Sequence, residues 1–569
     1  MRIVRLEIEN YRNLDGVKIK FHPTINFIIG ESNLGKSNLL DLLNILFTRK
    51  DFSESDFFNP SKPINISFSL GLSALEQGLF DDLFDPNDRE IINIIATQEC
   101  PDERVSFIHK DSQTIISNSK LRCVNYIKYD SLRTPSSELN FSNNRGVGKF
   151  LNHIIVKYLQ NENLQDSDFI ITTKFDGILK EINQTLHKIK SFKDFSLQAI
   201  RELNKENILS KLIILADNEN RTTEKLGYGV QFSLIITLSI LERLLNIKDL
   251  DQYIVEDSST SDKCIPIVIG LDEPEIHLHP YAQRNLIKYL VKVVDNKDSD
   301  FIDLLSDIFQ INKLLGQILI VSHSPNILLN DYRQFLRFYR NDKNHVVVQS
   351  GVNVILDEAQ QKQLLKNLPY VKEAFFSKVV ILVEGDTELG AIPNFSERMN
   401  VELDEFGISI IEAGGADSIP SLMKLLDEFG IQNIALMDSD KKQSYINVAN
   451  LSFTQGQDFE EDIYENFDLI DYVKYLEAEF INENKANFLI GKAKKEGIPL
   501  NHQNISNQLE LFSKDEVQKL KESSKEDILK SMRKSKSILD GADLGKHVTN
   551  IPQVYKDLID KAVELSKIC

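Results

Sequence analysis

Hydrophobic and polar residues alternate near the start of the chain as they do in half-buried strands. The segments Arg5–Asn10 and Ile64–Leu70 alternate, whereas Ile25–Ile29 is a nearly continuous apolar run. Alternation predicts a strand with one solvated face, and a short apolar run predicts a strand buried on both faces. Apolar residues at helical spacing follow the run, namely Leu39, Leu40, Leu43, Ile45 and Leu46. The opening of the chain is therefore predicted to be the strand, hairpin, strand and helix of an α/β domain.

The period of the pattern changes twice in the middle of the chain. In Phe150–Leu159 and Ile178–Leu186 apolar residues recur three and four positions apart, which predicts helices. Strand and helix patterns alternate again over 226–350, with Ile267–Leu271 and Gln317–Val321 as buried strands. The first domain is thus predicted to be split around a helical arm that serves dimerisation, with boundaries at 1–145, 146–215 and 216–370.

A second α/β unit is predicted from residue 371 to 569. The apolar run Lys378–Val383 leads directly into Glu384, and Ile431–Met437 leads directly into Asp438. Acidic residues at the carboxyl ends of parallel strands lie where open α/β sheets bind ligands. Beyond about residue 470 the chain reads as helical and rich in lysine.

Composition places the chain among ordinary globular proteins. Its 569 residues exceed a single core, and its 42% hydrophobic and 27% charged residues argue against disorder or a coiled-coil rod. No apolar run approaches membrane-spanning length, and the N-terminus alternates like a strand instead of a signal peptide, so we expect a cytoplasmic protein. The four cysteines are scattered without metal-ligand spacing, which indicates reduced thiols.

The formal net charge of −19 argues against indiscriminate coating of nucleic acid. It leaves room for a local basic groove, because lysines and one arginine concentrate near the C-terminus. They are Lys519, Lys521, Lys525, Lys530, Arg533, Lys534, Lys536 and Lys546. The alternative is a solvated helix face, because acidic residues are interleaved with these cations.

A nucleotide-binding loop is predicted at Gly30–Ser37. It fits the pattern G-x-x-x-x-G-K-S, follows a predicted strand and precedes a predicted helix. Backbone amides of such a loop cradle phosphates, Lys36 reaches the terminal phosphates and Ser37 ligates magnesium. The residues assigned to the nucleotide are Gly30, Asn33, Gly35, Lys36 and Ser37.

An acidic pair at the end of the strand Ile267–Leu271 supplies the second element that ATP hydrolysis requires. We expect Asp272 to orient the magnesium and Glu273 to polarise the attacking water. A helix cap is the alternative for adjacent acids at a strand end, but the apolar run before them favours the catalytic interpretation.

Three further segments resemble ABC-type ATPases of the recombination and chromosome-maintenance branch. Leu226–Gln231 resembles the signature loop, Glu273–Pro280 the segment after the acidic pair, and Ser322–Pro325 the switch-histidine loop with His323. The resemblance implies that Gly227, Gly229 and Gln231 of one subunit complete the phosphate loop of another, and hence a homodimer or higher homo-oligomer. No match to the family's glutamine loop is found between Ser53 and Pro60.

Carboxylates in the second unit predict a divalent-metal site. Glu384 and Glu388 fall on one face if a helix starts there, and Asp438 and Asp440 project from one side of an extended strand end. Four converging carboxylates repel one another unless Mg²⁺ or Mn²⁺ neutralises them. Glu460 is the candidate for a second ion site, with Glu461 as its rival.

The segments Val383–Glu388 and Met437–Asp440 resemble the Toprim fold of topoisomerases, primases and the overcoming-lysogenization-defect (OLD) nucleases. Of these, only the OLD group fuses a Toprim unit after an ABC-type ATPase. The resemblance spans nearly the whole chain and implies an ATP-regulated, metal-dependent DNA endonuclease of bacterial antiphage systems, including Gabija and some retrons. It also implies a cleavage-assisting lysine, for which Lys546 matches best, with Lys536 or Lys534 as alternatives.

Two other functions remain open from the sequence. One is a DNA-tethering repair ATPase whose acidic cluster only binds metal or nucleic acid. The other is an ATP-sensing subunit that acts on a co-encoded partner, such as a helicase-like protein or a retron reverse transcriptase with its RNA and DNA. The sequence does not give the sign of ATP control, the choice between nick and double-strand cut, or dimer versus tetramer.

Overall fold

The chain forms two compact units in a computed structural model. Unit 1 is Met1–Tyr339 with Val346–Asn353, and unit 2 is Arg340–His345 with Val354–Cys569. The structure describes residues 1–48, 50–80, 83–130, 139, 147–162, 172–188, 197–201, 213–222, 225, 227–247, 250–257, 259–276, 278–341, 343–358, 361–362, 371–445, 447–479, 485–534 and 536–568.

Unit 1 combines two larger sheets with α-helices. Its described strands are β1 (Arg2–Glu9), β2 (Lys18–Lys20), β3 (Ile25–Gly30), β4 (Ile64–Gly71), β5 (Ile91–Gln98), β6 (Ser106–His109), β7 (Tyr126–Tyr129), β8 (Leu197–Arg201), β9 (Ile213–Asp217), β10 (Val255–Asp257), β11 (Asp262–Asp272), β12 (Lys313–Val321), β13 (Phe335–Arg340) and β14 (Val346–Ser350). Its described α-helices are α1 (Lys36–Thr48), α2 (Asn118–Leu121), α3 (Val147–Glu162), α4 (Thr172–Leu186), α5 (Tyr228–Leu245), α6 (Pro280–Val294) and α7 (Ser299–Phe309).

The first sheet is antiparallel with the order β2-β1-β4-β5-β6. Burial alternates residue by residue along β4 and β5, which confirms the half-buried strand predicted over Ile64–Leu70. Leu39 and Leu43 of α1 share one core cluster with Phe68 of β4. The helix that follows the phosphate loop is therefore anchored in the core of this unit.

The second sheet has the order β10-β11-β12-β3-β13-β14, with β7 also paired to β11. Strands β3, β11, β12 and β13 are parallel, so their carboxyl ends meet at one edge. All residues of β3 are buried, as the apolar run predicts. This edge carries the ends of the three strands from which the nucleotide motifs emerge.

The insertion between these strands is helical only in part. Its described portion contains α3 and α4, as predicted, and then the antiparallel pair β8–β9. Ala199 pairs with Leu215 and Ile200 with Ile214, so apolar residues meet across the strands. The prediction of helix is therefore wrong over these two segments, which are short, five-residue strands. A role of the arm in dimerisation stays a prediction.

Unit 2 is a parallel sheet surrounded by helices. Its described strands are β15 (Val379–Val383), β16 (Ile408–Glu412), β17 (Gln432–Met437) and β18 (Leu451–Phe453). Its described α-helices are α8 (Asp386–Arg398), α9 (Ile419–Glu428), α10 (Lys442–Tyr445), α11 (Phe459–Asn466), α12 (Leu469–Glu479), α13 (Phe488–Lys495), α14 (Ile505–Leu509), α15 (Lys514–Ser523), α16 (Lys525–Arg533), α17 (Ile538–His547) and α18 (Gln553–Ile568). The predicted helical C-terminal region is confirmed.

The sheet of unit 2 has the order β16-β15-β17-β18, and every pairing is parallel. The chain leaves β15 toward β16 on one side and returns to β17 on the other, so the strand order reverses between β15 and β17. Ligands of open α/β sheets bind at the carboxyl ends of strands at such a reversal. Glu384 and Asp438 directly follow these two strands.

Helix α17 packs unusually close to α8. A Cβ atom added to Gly541 would lie 1.9 Å from the carbonyl oxygen of Thr387, and one added to Gly390 would lie 2.0 Å from that of Ile538. Glycine at these positions lets the two backbones approach each other. Among the described residues, no helix is both long and apolar enough to cross a membrane.

Candidate nucleotide site and candidate metal centre

The phosphate loop requires glycine at two positions. Gly30 has φ 124°, and a Cβ there would lie 2.1 Å from the carbonyl oxygen of Phe338. Gly35 has φ 86°, and its Cβ would lie 2.4 Å from the Asn13 side chain. Asn33 also takes a left-handed conformation, with φ 61°, which asparagine tolerates better than most residues. The loop leads into α1, whose N-terminal amides form an anion site.

Lys36 is buried within the loop that it serves. Its Nζ donates hydrogen bonds to the carbonyl oxygens of Gly30 at 2.9 Å and Glu31 at 2.5 Å. Burial lowers the pKa of Lys36 to about 8, against the opposing effect of Glu273, Glu31 and Asp272. These bonds hold the ammonium group beside the loop's backbone, where phosphate oxygens would be its alternative acceptors.

The acidic pair lies where β11 ends. The Ser37 hydroxyl donates to Asp272 Oδ1 at 2.9 Å, so the two residues expected to bind magnesium already touch. Burial raises the pKa of Asp272. Glu273 has φ 47° and its N–H donates to the carbonyl oxygen of Val321 at 3.0 Å, which fixes the turn after the strand.

His323 faces Glu273 at the end of β12. Its Nε2 lies 3.4 Å from Glu273 Oε1, and burial together with the charge of Lys36 lowers the pKa of His323. The histidine loop is held by Glu275, whose Oε1 accepts from the Ser322 hydroxyl at 2.6 Å and from the His323 N–H at 2.8 Å. No role was predicted for Glu275. Its position two residues after the acidic pair was the feature of the sequence that could have indicated one.

The signature residues begin the longest helix of unit 1. Gly227 is exposed and caps α5, Gly229 lies in its first turn, and Gln231 is buried. Their backbone amides therefore lie at a helix N-terminus, as an anion-binding role requires. Leu226, which opens the predicted motif, lies outside the described residues.

Arg12 connects α1 to the segment between Ser53 and Pro60, in which the sequence shows no match to a glutamine loop. Its Nε donates to Asp56 at 2.8 Å, and its Nη1 donates to Asn38 at 2.7 Å and Asp41 at 2.9 Å. Asp56 also accepts from the N–H and hydroxyl of Ser53. The helix after the phosphate loop is thus coupled to residues 53–56 by an ion-pair network.

In unit 2, Glu384 and Glu388 are brought together by a turn. Helix α8 begins only at Asp386, because Gly385 is extended and caps it. The expectation that both glutamates share a helix face is therefore wrong, since Glu384 lies in the bend between the strand and the helix. The Asp438 N–H donates to Glu384 Oε2 at 3.2 Å, which joins the two strand ends.

Three carboxylates form the centre of this site. Glu388 and Glu460 are buried, with 6% and 1% exposure, and Asp438 is partly buried. Burial, with the charges of Asp438, Glu460 and Glu384, raises the pKa of Glu388 to about 8. Burial, with the charges of Glu384 and Asp458, raises the pKa of Asp438 to about 7. The carboxylates therefore repel one another strongly without a cation.

Asp440 and Glu461 are placed differently from these three. Asp440 is exposed in a 3-10 turn, so the prediction that it extends from the strand beside Asp438 is wrong. Glu461 is occupied by other partners, since it pairs with Lys525 at 2.8 Å and accepts from the Gln457 N–H at 2.8 Å. Of the two rival glutamates, Glu460 is the one buried beside the carboxylates.

Of the three candidate lysines, Lys536 forms an ion pair with the acidic centre. Its Nζ is 3.3 Å from Glu460 Oε2. Burial lowers the pKa of Lys536, but the charge and hydrogen bond of Glu460, with the charges of Asp458 and Asp438, together raise it above its usual value. Nearby, Arg533 makes a two-pronged contact to Asp458 at 2.7 and 2.9 Å, which fixes the start of α11. Lys546 is exposed on α17.

The donor set fits a hard divalent cation. Within the described part of the chain, Asp438 Oδ1 and Glu460 Oε1 are buried without a hydrogen-bond partner, and Glu460 Oε2 has the ion pair with Lys536. Such oxygens are costly unless a cation or donor satisfies them, and Mg²⁺ prefers oxygen ligands. Across the described residues, however, no three acidic, histidine or cysteine side chains are yet arranged at ligand distances, so binding requires side-chain adjustment.

Two family models match the chain. The AAA ATPase domain model matches residues 1–133 and 87–328, which together span more than half of the chain. The TOPRIM domain model of overcoming-lysogenization-defect-like proteins matches residues 375–440, which include Glu384, Glu388 and Asp438. The chain belongs to the AAA ATPase domain family and also carries an OLD-like TOPRIM domain.

Three curated proteins are similar to this chain over most of their length. The Old nuclease of Escherichia phage P2 is 23% identical over 501 residues, covering 77% of both chains. Endonuclease GajA of Bacillus cereus is 22% identical over 536 residues, covering 76% of this chain and 74% of its own. The OLD nuclease of Thermus scotoductus is 22% identical over 478 residues, covering 77% of this chain and 81% of its own.

Proposed function

We propose that this protein is an ATP-regulated DNA endonuclease that uses Mg²⁺ or Mn²⁺ at its Toprim carboxylates. The observation that carries the proposal is the buried acidic centre at the strand reversal of unit 2. In the described part of the chain, Asp438 Oδ1 and Glu460 Oε1 are buried without a partner, and burial raises the pKa values of Glu388 and Asp438. The similarity to proteins named Old nuclease and endonuclease GajA supports nuclease chemistry over simple metal binding.

Each carboxylate has a role in this proposal. Glu384 and Asp438, which are joined by the 3.2 Å hydrogen bond, hold the first ion at the strand ends. Glu388 and Glu460 complete its surroundings from two helix N-termini, and Asp440 reaches the site from its exposed turn. A bound divalent ion would polarise the phosphodiester, lower the pKa of a water nucleophile and stabilise the leaving oxygen.

Lys536 is the cation that we assign to the cleaved phosphate. Its Nζ lies beside Glu460 and carries a full charge, because the neighbouring carboxylates raise its pKa. A positive group at this point would stabilise the charge that develops on the phosphate. Lys546, the best match to the family pattern, and Lys534 remain the alternatives.

Unit 1 supplies the regulatory half of the proposal. Lys36 would exchange its loop carbonyl oxygens for the terminal phosphates, and Ser37 with Asp272 would bind the nucleotide's metal. Glu273 would polarise the attacking water, with His323 beside the terminal phosphate. The signature residues of a second subunit would close this site, so we propose a homodimer or a higher homo-oligomer.

We infer a role in bacterial antiphage defence from the resemblance to OLD nucleases, with action in the cytoplasm. A co-encoded partner, such as a helicase-like protein or a retron reverse transcriptase with its nucleic acid, fits the same proposal. The sign of ATP control is a separate question, because binding at unit 1 either restrains or drives cleavage at unit 2.

The proposal is tested by measuring ATP hydrolysis and plasmid cleavage on the same preparations of wild type, Lys36→Ala and Glu384→Ala. We expect Glu384→Ala to lose cleavage and keep ATP hydrolysis, and Lys36→Ala to lose ATP hydrolysis. Cleavage by Lys36→Ala with and without ATP then gives the sign of control. DNA-stimulated hydrolysis without cleavage in the wild type would favour a tethering ATPase, and cleavage only with the co-encoded neighbour would favour a sensor subunit.

A further inference from the structure

Tyr555 of α18 lies beneath the acidic centre and is fully buried. Its ring packs against Phe395 of α8, with centroids 5.3 Å apart, and against Phe459 of α11, with centroids 5.8 Å apart. Its hydroxyl is buried and has no hydrogen-bond partner within the described part of the chain. Buried hydroxyl groups are nearly always paired, so an unpaired one requires an explanation.

The two ring contacts place Tyr555 between the helices that carry two of the carboxylates. Phe395 follows Glu388 by seven residues on α8, so both lie on the same face of that helix. Phe459 directly precedes Glu460 on α11. Tyr555 therefore contacts, from the core side, both helices that carry these two glutamates.

Electrostatics agrees with this placement. Burial raises the pKa of Tyr555 far above its usual value, and the charges of Glu388, Asp462, Asp438 and Glu460 raise it further. Asp462 already accepts hydrogen bonds from the Gly456 and Gln455 N–H groups. Among these carboxylates, Glu388 exerts the largest effect on the tyrosine and lies on the helix face that it packs against.

We propose that Tyr555 is a positioning residue of the metal centre, whose hydroxyl donates a hydrogen bond to the Glu388 carboxylate when a divalent ion is bound. The inference rests on the proposed metal-dependent function and deepens it. Outer-shell donors of this kind hold a ligand in its binding orientation, and their removal typically costs about 10- to 100-fold in metal affinity.

If Tyr555 only packed in the core, its substitution would affect stability and metal affinity differently. The Tyr555→Phe substitution removes only an oxygen atom for which the described residues offer no partner. If packing were its only role, the ring of phenylalanine would preserve it, and losing an unpaired buried hydroxyl would leave stability unchanged or improve it. Metal affinity would then stay the same.

The test measures Mn²⁺ binding to the full-length chain by calorimetry and by the electron paramagnetic resonance signal of free Mn²⁺. Tyr555→Phe is compared with wild type and with Tyr472→Phe, a matched control. Tyr472 is a buried tyrosine of the same core, whose ring stacks on Phe467 at 4.7 Å and whose hydroxyl bonds Ser531. We expect affinity to fall about 10-fold or more in Tyr555→Phe and less than about twofold in Tyr472→Phe.

Melting without metal separates the two explanations further. We expect Tyr555→Phe to melt at or above the wild-type temperature without metal, and to gain less than wild type when Mn²⁺ is added. Equal Mn²⁺ affinity in Tyr555→Phe and wild type, while Glu384→Ala loses binding, would overturn the positioning role and leave the metal centre standing. No Mn²⁺ binding by the wild type would overturn both proposals.

Discussion

At the residue scale, the sequence and the structure favour different lysines for the cleavage step. Lys546 fits the family pattern best, yet it is exposed on α17, whereas Lys536 lies 3.3 Å from Glu460. The pairing joins residues far apart in sequence and depends on how the C-terminal helices fold back onto α11. No local pattern in the sequence encodes that contact.

The two lysines give opposite expectations on substitution. Lys536→Ala should slow metal-dependent plasmid cleavage by about 10²-fold or more, because a cation beside the reacting phosphate stabilises developing charge. Lys546→Ala is the matched control and should stay within about threefold of wild type. Single-turnover cleavage measures both, and a loss confined to Lys546→Ala would reverse the assignment.

Glu275 is a second residue whose importance depends on its contacts. Its carboxylate accepts from Ser322 and from the backbone of His323, so Glu275→Ala removes the acceptor of the buried Ser322 hydroxyl and of the part-buried His323 N–H. We expect a stability loss of about 1–3 kcal/mol together with slower ATP hydrolysis. Urea unfolding and phosphate release measure the two effects.

The control for Glu275 is Glu273→Gln, which replaces the expected catalytic glutamate. This partly exposed side chain should be replaced at little cost in stability, while ATP hydrolysis falls sharply. If Glu275→Ala kept both wild-type stability and wild-type hydrolysis, Glu275 would have no positioning role.

At the element scale, apolar runs predict the strands that carry the motifs. Strands β3, β11, β12, β15 and β17 all appear where the runs indicate, because burial on both faces leaves a continuous apolar signal. The pair β8–β9 was missed, since its five-residue strands are too short to give a clear strand pattern within a region predicted to be helical. The start of α8 was misplaced by the extended conformation of Gly385.

The close packing of α17 on α8 makes a prediction about glycine. Gly541→Ala should destabilise unit 2 by about 1–3 kcal/mol, because its Cβ would meet the Thr387 carbonyl oxygen at 1.9 Å and push the helices apart. Cleavage should fall as well, since α8 carries Glu388. Chemical denaturation and plasmid cleavage measure these losses.

Gly491→Ala is the matched control for this substitution. Gly491 also lies within a helix, α13, but has open space around it, so alanine should be neutral or stabilise by up to about 1 kcal/mol. If the two variants were equally stable, moving α8 and α17 apart would not lower the free energy of unfolding.

At the scale of the whole molecule, the nucleotide site is proposed to need two chains. Lys36→Ala disables the phosphate loop, and Gly227→Asp places a negative charge at the exposed start of α5 while keeping a favoured helix cap. Each variant alone should lose ATP hydrolysis. Co-expressed together, they should recover about a quarter of wild-type hydrolysis, because half of the dimers are mixed and each mixed dimer has one intact site.

Recovery in the mixture requires that the loop of one chain meets the signature of another. Differentially tagged subunits purified in tandem give the mixed oligomer directly, and its ATP hydrolysis is the readout. A mixture as inactive as its parents, despite isolation of the mixed oligomer, would contradict a site shared between subunits.

Under the proposed function, the carboxylates of unit 2 hold the ion that cuts DNA. The most direct measurement is conversion of supercoiled plasmid to nicked or linear DNA by wild type and Asp438→Asn, in Mg²⁺, in Mn²⁺ and in EDTA. We predict cleavage by the wild type only with a divalent ion, and a loss of about 100-fold or more in Asp438→Asn. Undiminished cleavage by Asp438→Asn would contradict the claim.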